Sequence, residues 1–138
     1  MQKLVFENGD EYLGEVLNEL PFGHGKLTRL NGTIYLGSFI DGKMTGHGKI
    51  NYSDGCTYIG DVVDGKRHGF GMFSIPDVVV IGGNFVDGLP VGILKLTYAN
   101  CDVYEGELYK GDPHGAGVMT YADGTVWVGM WVDGERVE

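Results

Sequence analysis

Positive charge is what this chain has least of. Its 138 residues carry 10 Lys and Arg against 19 Asp and Glu, a net charge of −9. Nucleic-acid affinity comes chiefly from neutralising phosphates with Lys and Arg, so that class of partner is not expected. Adsorption to anionic headgroups needs a local basic patch, and the densest basic run is only Lys66-Arg67-His68, which disfavours membrane association. Long apolar runs are missing too. The longest aliphatic one, Val78-Val79-Val80-Ile81, falls far short of a membrane span. Met1 to Phe6 lacks an apolar stretch of signal length, so no secretory leader is expected. Cysteine is limited to Cys56 and Cys101.

Glycine, by contrast, makes up 25 of the 138 residues, well above the roughly 7% average, and it falls at fixed offsets. Tyr12, Tyr35, Tyr58, Ile81, Tyr104 and Trp127 each stand 23 residues after the last, and 138 is six times 23. An unbroken period of this length is the signature of an array. Two places on stand Gly14, Gly37, Gly60, Gly83, Gly106 and Gly129, then Val16, Phe39, Val62, Phe85, Leu108 and Trp131. Large, glycine, large at a spacing of two is one face of a strand. A turn follows, Asp-Gly at 41–42, 64–65, 87–88 and 133–134, with Asn18-Glu19 and Lys110-Gly111 as variants. A second strand carries Leu27, Ile50, Phe73, Leu96 and Met119, with Arg29, Tyr52, Ile75, Tyr98 and Tyr121 two places later. It closes at Asn8-Gly9, Asn31-Gly32, Asp54-Gly55 and Asp123-Gly124, which read as two-residue hairpin turns.

The expected fold is all-β: a single-layer, elongated antiparallel sheet of stacked 23-residue hairpins, about twelve strands in all. One array fills 1–138, with a half repeat at 1–11, full repeats from 12, 35, 58, 81 and 104, and a half repeat at 127–138. A turn centred between Lys66 and Arg67 sets Gly60 opposite Phe73, and likewise Gly14 opposite Leu27, Gly37 opposite Ile50 and Gly106 opposite Met119. The same register pairs Glu15 with Lys26. At ~4.8 Å per strand, Cys56 and Cys101 lie roughly 19 Å apart, beyond disulfide reach. Two free thiols suit a reducing, intracellular and cytoplasmic setting.

Tyr58 to Gly71 reads Y-I-G-D-V-V-D-G-K-R-H-G-F-G, and Tyr35 to Gly48 and Tyr104 to Gly117 follow the same plan. This pattern resembles the MORN (membrane occupation and recognition nexus) repeat, and the resemblance covers essentially every residue. It implies scaffolding, self-association and organisation at membranes or the cytoskeleton. It also leaves open a phosphoinositide-binding membrane module, or the accessory part of a larger enzyme, since such arrays precede lysine methyltransferase and lipid kinase domains in some proteins. Two units depart from the pattern: the first has Glu19 for the turn glycine and Phe22 for histidine, and the fourth has Ile81, Val91 and Leu94 for Tyr, His and Gly. The fourth is expected either to be distorted locally or to present Val78 to Ile81 to a partner.

Catalytic chemistry finds no foothold. Zinc ligands must all lie about 2 Å from one ion, whereas adjacent copies of a column are about 10 Å apart. His24 and His47, like His68 and His114, are therefore read as turn-flanking residues that bond backbone, with no metal. Glu15, Asp61 and Glu107 recur every second unit, too far apart for a glycosidase pair, and read as a solvated stripe. Gly69-Phe70-Gly71 leads into a strand rather than the helix N-terminus a phosphate needs. No cofactor and no enzymatic activity are expected.

What remains is surface. One face carries Tyr35, Phe39, Tyr52, Phe85, Tyr98, Tyr121, Trp127 and Trp131; the other carries Leu17, Ile40, Val63, Val86 and Tyr109 among others. A single sheet cannot hide two apolar faces by itself, and aromatics anchor interfaces. The expected function is protein binding, with a partner helix or peptide docked along the eight aromatics. Met1 to Phe6 and Trp127 to Val132 lie at or near unpaired strand edges, expected to pair with another copy as a homodimer or with further chain. In analytical ultracentrifugation, self-pairing predicts a sedimentation coefficient that rises with concentration; a strictly monomeric species at high concentration contradicts it.

Overall fold

A computed structural model describes all 138 residues. It contains thirteen strands and no helix. The first six are β1 (Gln2–Val5), β2 (Glu11–Leu17), β3 (Leu20–Thr28), β4 (Ile34–Ile40), β5 (Lys43–Asn51) and β6 (Thr57–Val63). Then come β7 (Lys66–Ile75), β8 (Val79–Val86), β9 (Leu89–Tyr98) and β10 (Val103–Tyr109). The last three are β11 (Asp112–Thr120), β12 (Val126–Val132) and β13 (Glu135–Val137). They lie side by side in chain order in one open antiparallel sheet. The thirteenth strand, beyond the twelve expected, forms because Asp133-Gly134 turns the chain back onto β12.

Two kinds of turn alternate. Asp64 and Gly65 both take positive φ, 52° and 78°, and Val63 pairs directly with Lys66. This is a two-residue turn whose twist matches the flanking strands. The Asn-Gly turns are not of that kind. Arg29 N–H donates to Thr33 O and Gly32 N–H to Arg29 O, so three residues form the loop, and of Asn31 and Gly32 only the glycine, at 95°, has positive φ. The reason is local: the Asn31 side-chain oxygen accepts from Thr33 N–H at 2.9 Å, fastening the chain two residues on. At the end of the fourth unit Cys101 occupies the glycine position of this loop at φ 76°.

The register also differs from the expected one. Glycine faces glycine: Gly14 opposite Gly25, Gly37 opposite Gly48, Gly60 opposite Gly71, Gly106 opposite Gly117. The large residues Leu27, Ile50, Phe73 and Met119 lie opposite the tyrosines instead, and Lys26 faces Leu13 rather than Glu15. The turn sits on Asp64-Gly65 itself, and a bulge between Gly60 and Val62 then sets Asp61 against His68, Gly69 and Phe70. The expected register placed the turn centre too far along and omitted the bulge.

The bulge and the glycine pair together seat the tyrosine. Tyr58 lies along its own strand over Gly60 and Gly71 and donates its hydroxyl to Asp61 O at 2.7 Å. Tyr12, Tyr35 and Tyr104 make the same bond to Glu15, Ser38 and Glu107 O at 2.6, 2.9 and 2.7 Å. A Cβ placed on Gly25, Gly48, Gly71 or Gly117 would fall within the adjacent tyrosine ring. All four rings are at most 2% exposed, in a sheet with no second layer to cover it. The fourth unit reaches the same end differently. Ile81 stands where the tyrosine would, and Leu94, 3% exposed, replaces the glycine and fills the vacated space above Gly83. Its pairing keeps Phe73 opposite Ile81 and Ile81 opposite Leu96, but its bulge falls between Gly82 and Asn84, one residue earlier than in the other units, and of Val78 to Ile81 only Val78 is exposed.

Candidate binding face

Each strand puts alternate residues on one side, and the tyrosine side gathers the eight aromatics expected to bind a partner. Four are core. Tyr35, Phe39, Phe85 and Trp131 are 2%, 2%, 2% and 4% exposed. Tyr12 and Tyr35 both meet Phe39 edge-to-face, at 4.9 and 5.2 Å between centroids. Tyr58 meets Phe85 at 5.4 Å, and Tyr104 and Trp127 meet Trp131 at 5.5 and 5.3 Å. Such pairs are worth about 0.5–1.5 kcal/mol each beyond buried area. The other four, Tyr52, Tyr98, Tyr121 and Trp127, are half-buried beside this row and keep ring surface toward solvent. The Trp131 indole N–H is buried without an acceptor.

A trough of about 460 Å³ opens on this face over β7 to β10, floored by Phe73, Ile81, Phe85 and Leu108 and bordered by Arg67 and Lys110. Arg67 lies 4.4 Å above the Phe73 ring, with Tyr52 and Phe85 at 5.7 and 5.8 Å, and donates to Gly88 O at 2.8 Å. A second hollow of about 250 Å³ lies between Phe6, Leu27, Arg29, Phe39 and Met44. Arg67 and Phe73 are not among the eight residues expected to bind a partner. The available signal was that Arg67 is a cation in a strand column otherwise filled by Pro21, Met44, Pro90 and Pro113 before the last unit.

On the opposite side the acidic stripe has a structural task. Glu15, Asp61 and Glu107 carboxylates accept from the bulge amides of His24, Phe70 and Ala116 at 2.6, 3.2 and 2.9 Å. They cap the bulges and are not a free solvated stripe. His68 and His114 each accept through Nδ1 from the Asp87 and Asp133 amides at 3.3 Å, so this pair bonds backbone as expected. His24 and His47 lie instead beside Glu15 and Asp61, at 3.9 and 3.6 Å. Gly82, in the column of Leu13, Leu36 and Ile59, leaves a groove of about 440 Å³ beside Phe70, Met72 and Ile93. Cys56 and Cys101 are free thiols.

Three stretches, 35–57, 58–77 and 104–126, match the MORN repeat family. No curated protein matches the chain in sequence. Among solved structures, the TCP domain of SAS-4 (dCPAP) from Drosophila melanogaster, in complex with a proline-rich motif of Ana2 (dSTIL), is similar at a TM-score of 0.61 and 13% identity. The match covers 93% of this chain and 70% of that one. At that identity the likeness is one of fold.

Burial raises the hydroxyl pKa of Tyr58 and Tyr98 to about 12, against an ordinary 10.0, by desolvating the phenolate; Tyr12, Tyr35, Tyr52 and Tyr104 are raised in the same direction and chiefly for the same cause. A group whose folded pKa lies above its unfolded value contributes stability below the unfolded pKa and loses it as pH rises through the folded one. Thermal melts at constant ionic strength should therefore show stability falling between about pH 10 and 12. A melting temperature unchanged across that window contradicts the burial of these hydroxyls.

Proposed function

This chain is a MORN-repeat protein, and we propose that it is a non-enzymatic scaffold that holds an extended, proline-rich segment of a partner protein along its tyrosine side. The observation that carries this reading is a match of spacings. Tyr52, Tyr98 and Tyr121 belong to one column that recurs once per repeat, and two strands at ~4.8 Å set about 9.6 Å between successive repeats. A polyproline II segment has three residues per turn and rises 3.1 Å per residue, presenting the same side about every 9.3 Å. Such a segment keeps step with the array over several repeats, its prolines on the half-exposed rings and its intervening residues toward the trough at Arg67. Because the segment is extended before it binds, little conformational entropy is lost. The fold's similarity to a domain seen with a proline-rich motif supports the same reading.

The test uses rings that reach the surface, since Phe39 and Phe85 are core and their loss would unfold the array before it reported on binding. With synthetic proline-rich peptides, amide shift changes in NMR titration should map to the tyrosine side. Tyr98→Ala with Tyr121→Ala should weaken binding about tenfold or more, the loss of an interface anchor of about 1.4 kcal/mol, while circular dichroism stays unchanged. Shift changes confined to the opposite side, or undiminished binding by the folded double variant, contradict the proposal.

A further inference from the structure

The arginines of the chain are gathered on one side of the sheet. The tyrosine side holds all three, Arg67 on β7, Arg136 on β13 and Arg29 just past β3, and Asp10 and Asp64 line the hollow beside Arg29. Arg67 pairs across from buried Val62, Arg136 from Trp131, and Arg29 lies in a hollow with Tyr35, Ile50 and Tyr52. Of the surroundings of these three arginines, the trough at Arg67 is lined without an acid, in a chain of net charge −9.

Arg67 is the most enclosed of the three. The ion pairs of lysine and arginine are Lys3–Glu11, Lys43–Asp64 and Arg136–Glu138, so Arg67 has no carboxylate. One of its five N–H donors meets Gly88 O, and no acidic side chain lines the trough beside it. Packing does not call for an arginine there, because Met44, Pro21, Pro90 and Pro113 fill the same column in other units. A guanidinium fork held over a ring, with donors to spare above an apolar floor, fits a carboxylate flanked by apolar groups. Acidic groups on the far side of the sheet are screened, since charges beyond about 8 Å interact weakly at physiological salt.

Resting on the scaffold reading above, we infer that the bound segment is acidic as well as extended: an Asp or Glu carboxylate seats on the Arg67 guanidinium, with proline or aliphatic neighbours on Phe73, Ile81 and Leu108. The probe is a library of phage-displayed random peptides selected on the intact chain, followed by anisotropy titration of the synthetic consensus peptide. Selected peptides should share an Asp or Glu beside proline or aliphatic residues. Arg67→Met, which copies the residue at Met44, should bind them about ten- to a hundredfold more weakly, the range of a charged hydrogen bond. Replacing the peptide's acid by its amide should cost the same on the parent chain and nothing further on Arg67→Met, an arm that leaves the protein untouched. Peptides selected without an acid, or bound equally by Arg67→Met, overturn this inference and leave the scaffold reading standing. Selection of no peptide overturns both. Pelleting with phosphatidylcholine vesicles doped with phosphatidylinositol bisphosphate, lost in Arg67→Met and without peptide selection, overturns the inference in favour of a lipid headgroup.

Discussion

Everything in this sheet depends on a tyrosine ring lying flat over two glycines. A sheet one layer thick has no partner layer to bury its apolar side, so its core must come from side chains that lie down along it. Tyr58 can do so only because Gly60 and Gly71, paired across the strands, leave the backbone bare beneath the ring. The bulge beside that pair turns the Asp61 carbonyl toward the hydroxyl, which would otherwise be a buried donor without an acceptor. The Asp61 carboxylate in turn meets the Phe70 amide of the bulge. Ring, glycine pair, bulge and acid are one device, and repeating it lets Phe39 pack edge-on between Tyr12 and Tyr35, Phe85 against Tyr58, and Trp131 between Tyr104 and Trp127.

Much of this is legible in the sequence and some is not, for physical reasons. The period, the strands and the glycine columns follow from spacing alone, because strand geometry puts every second residue on one side. Register does not, since it depends on how many residues the turn and the bulge absorb. Asp64-Gly65 and Asn31-Gly32 look alike as dipeptides, yet in one both residues take positive φ and in the other the Asn31 side chain ties down the loop. The half-buried rings could be named from their column but not separated from the buried ones. Phe39 and Tyr52 are equally aromatic on the same side, and only the contacts of Tyr12 and Tyr35 with Phe39 make it core. Arg67 reads only as part of a short basic run, Lys66-Arg67-His68, because spacing alone does not show that its guanidinium lies over Phe73.

The two sides therefore divide the work. Acidic side chains on one side cap the bulges through the amides of His24, Phe70 and Ala116. The tyrosine side carries the core, the surface left at the rims of its ring row, and the arginines. A repeat spacing close to the pitch of an extended chain turns this from a patch into a track, in which each repeat adds a contact at little further conformational cost. The fourth unit shows how far the device can change while the sheet continues, since Ile81 and Leu94 replace ring and glycine together.

That exchange supplies the most direct test of the central claim. In a double-mutant cycle on the third unit, Tyr58→Ile and Gly71→Leu would each be made alone and together, and stability measured by denaturant unfolding. Each single change should be strongly destabilising, one by leaving space and an unpaired carbonyl, the other by driving a side chain into the ring. The double variant, copying Ile81 and Leu94, should regain about 2 kcal/mol or more over the sum of the singles. If the two effects add to within about 0.5 kcal/mol, ring and glycine are not one unit, and the account of how this sheet buries its core is wrong.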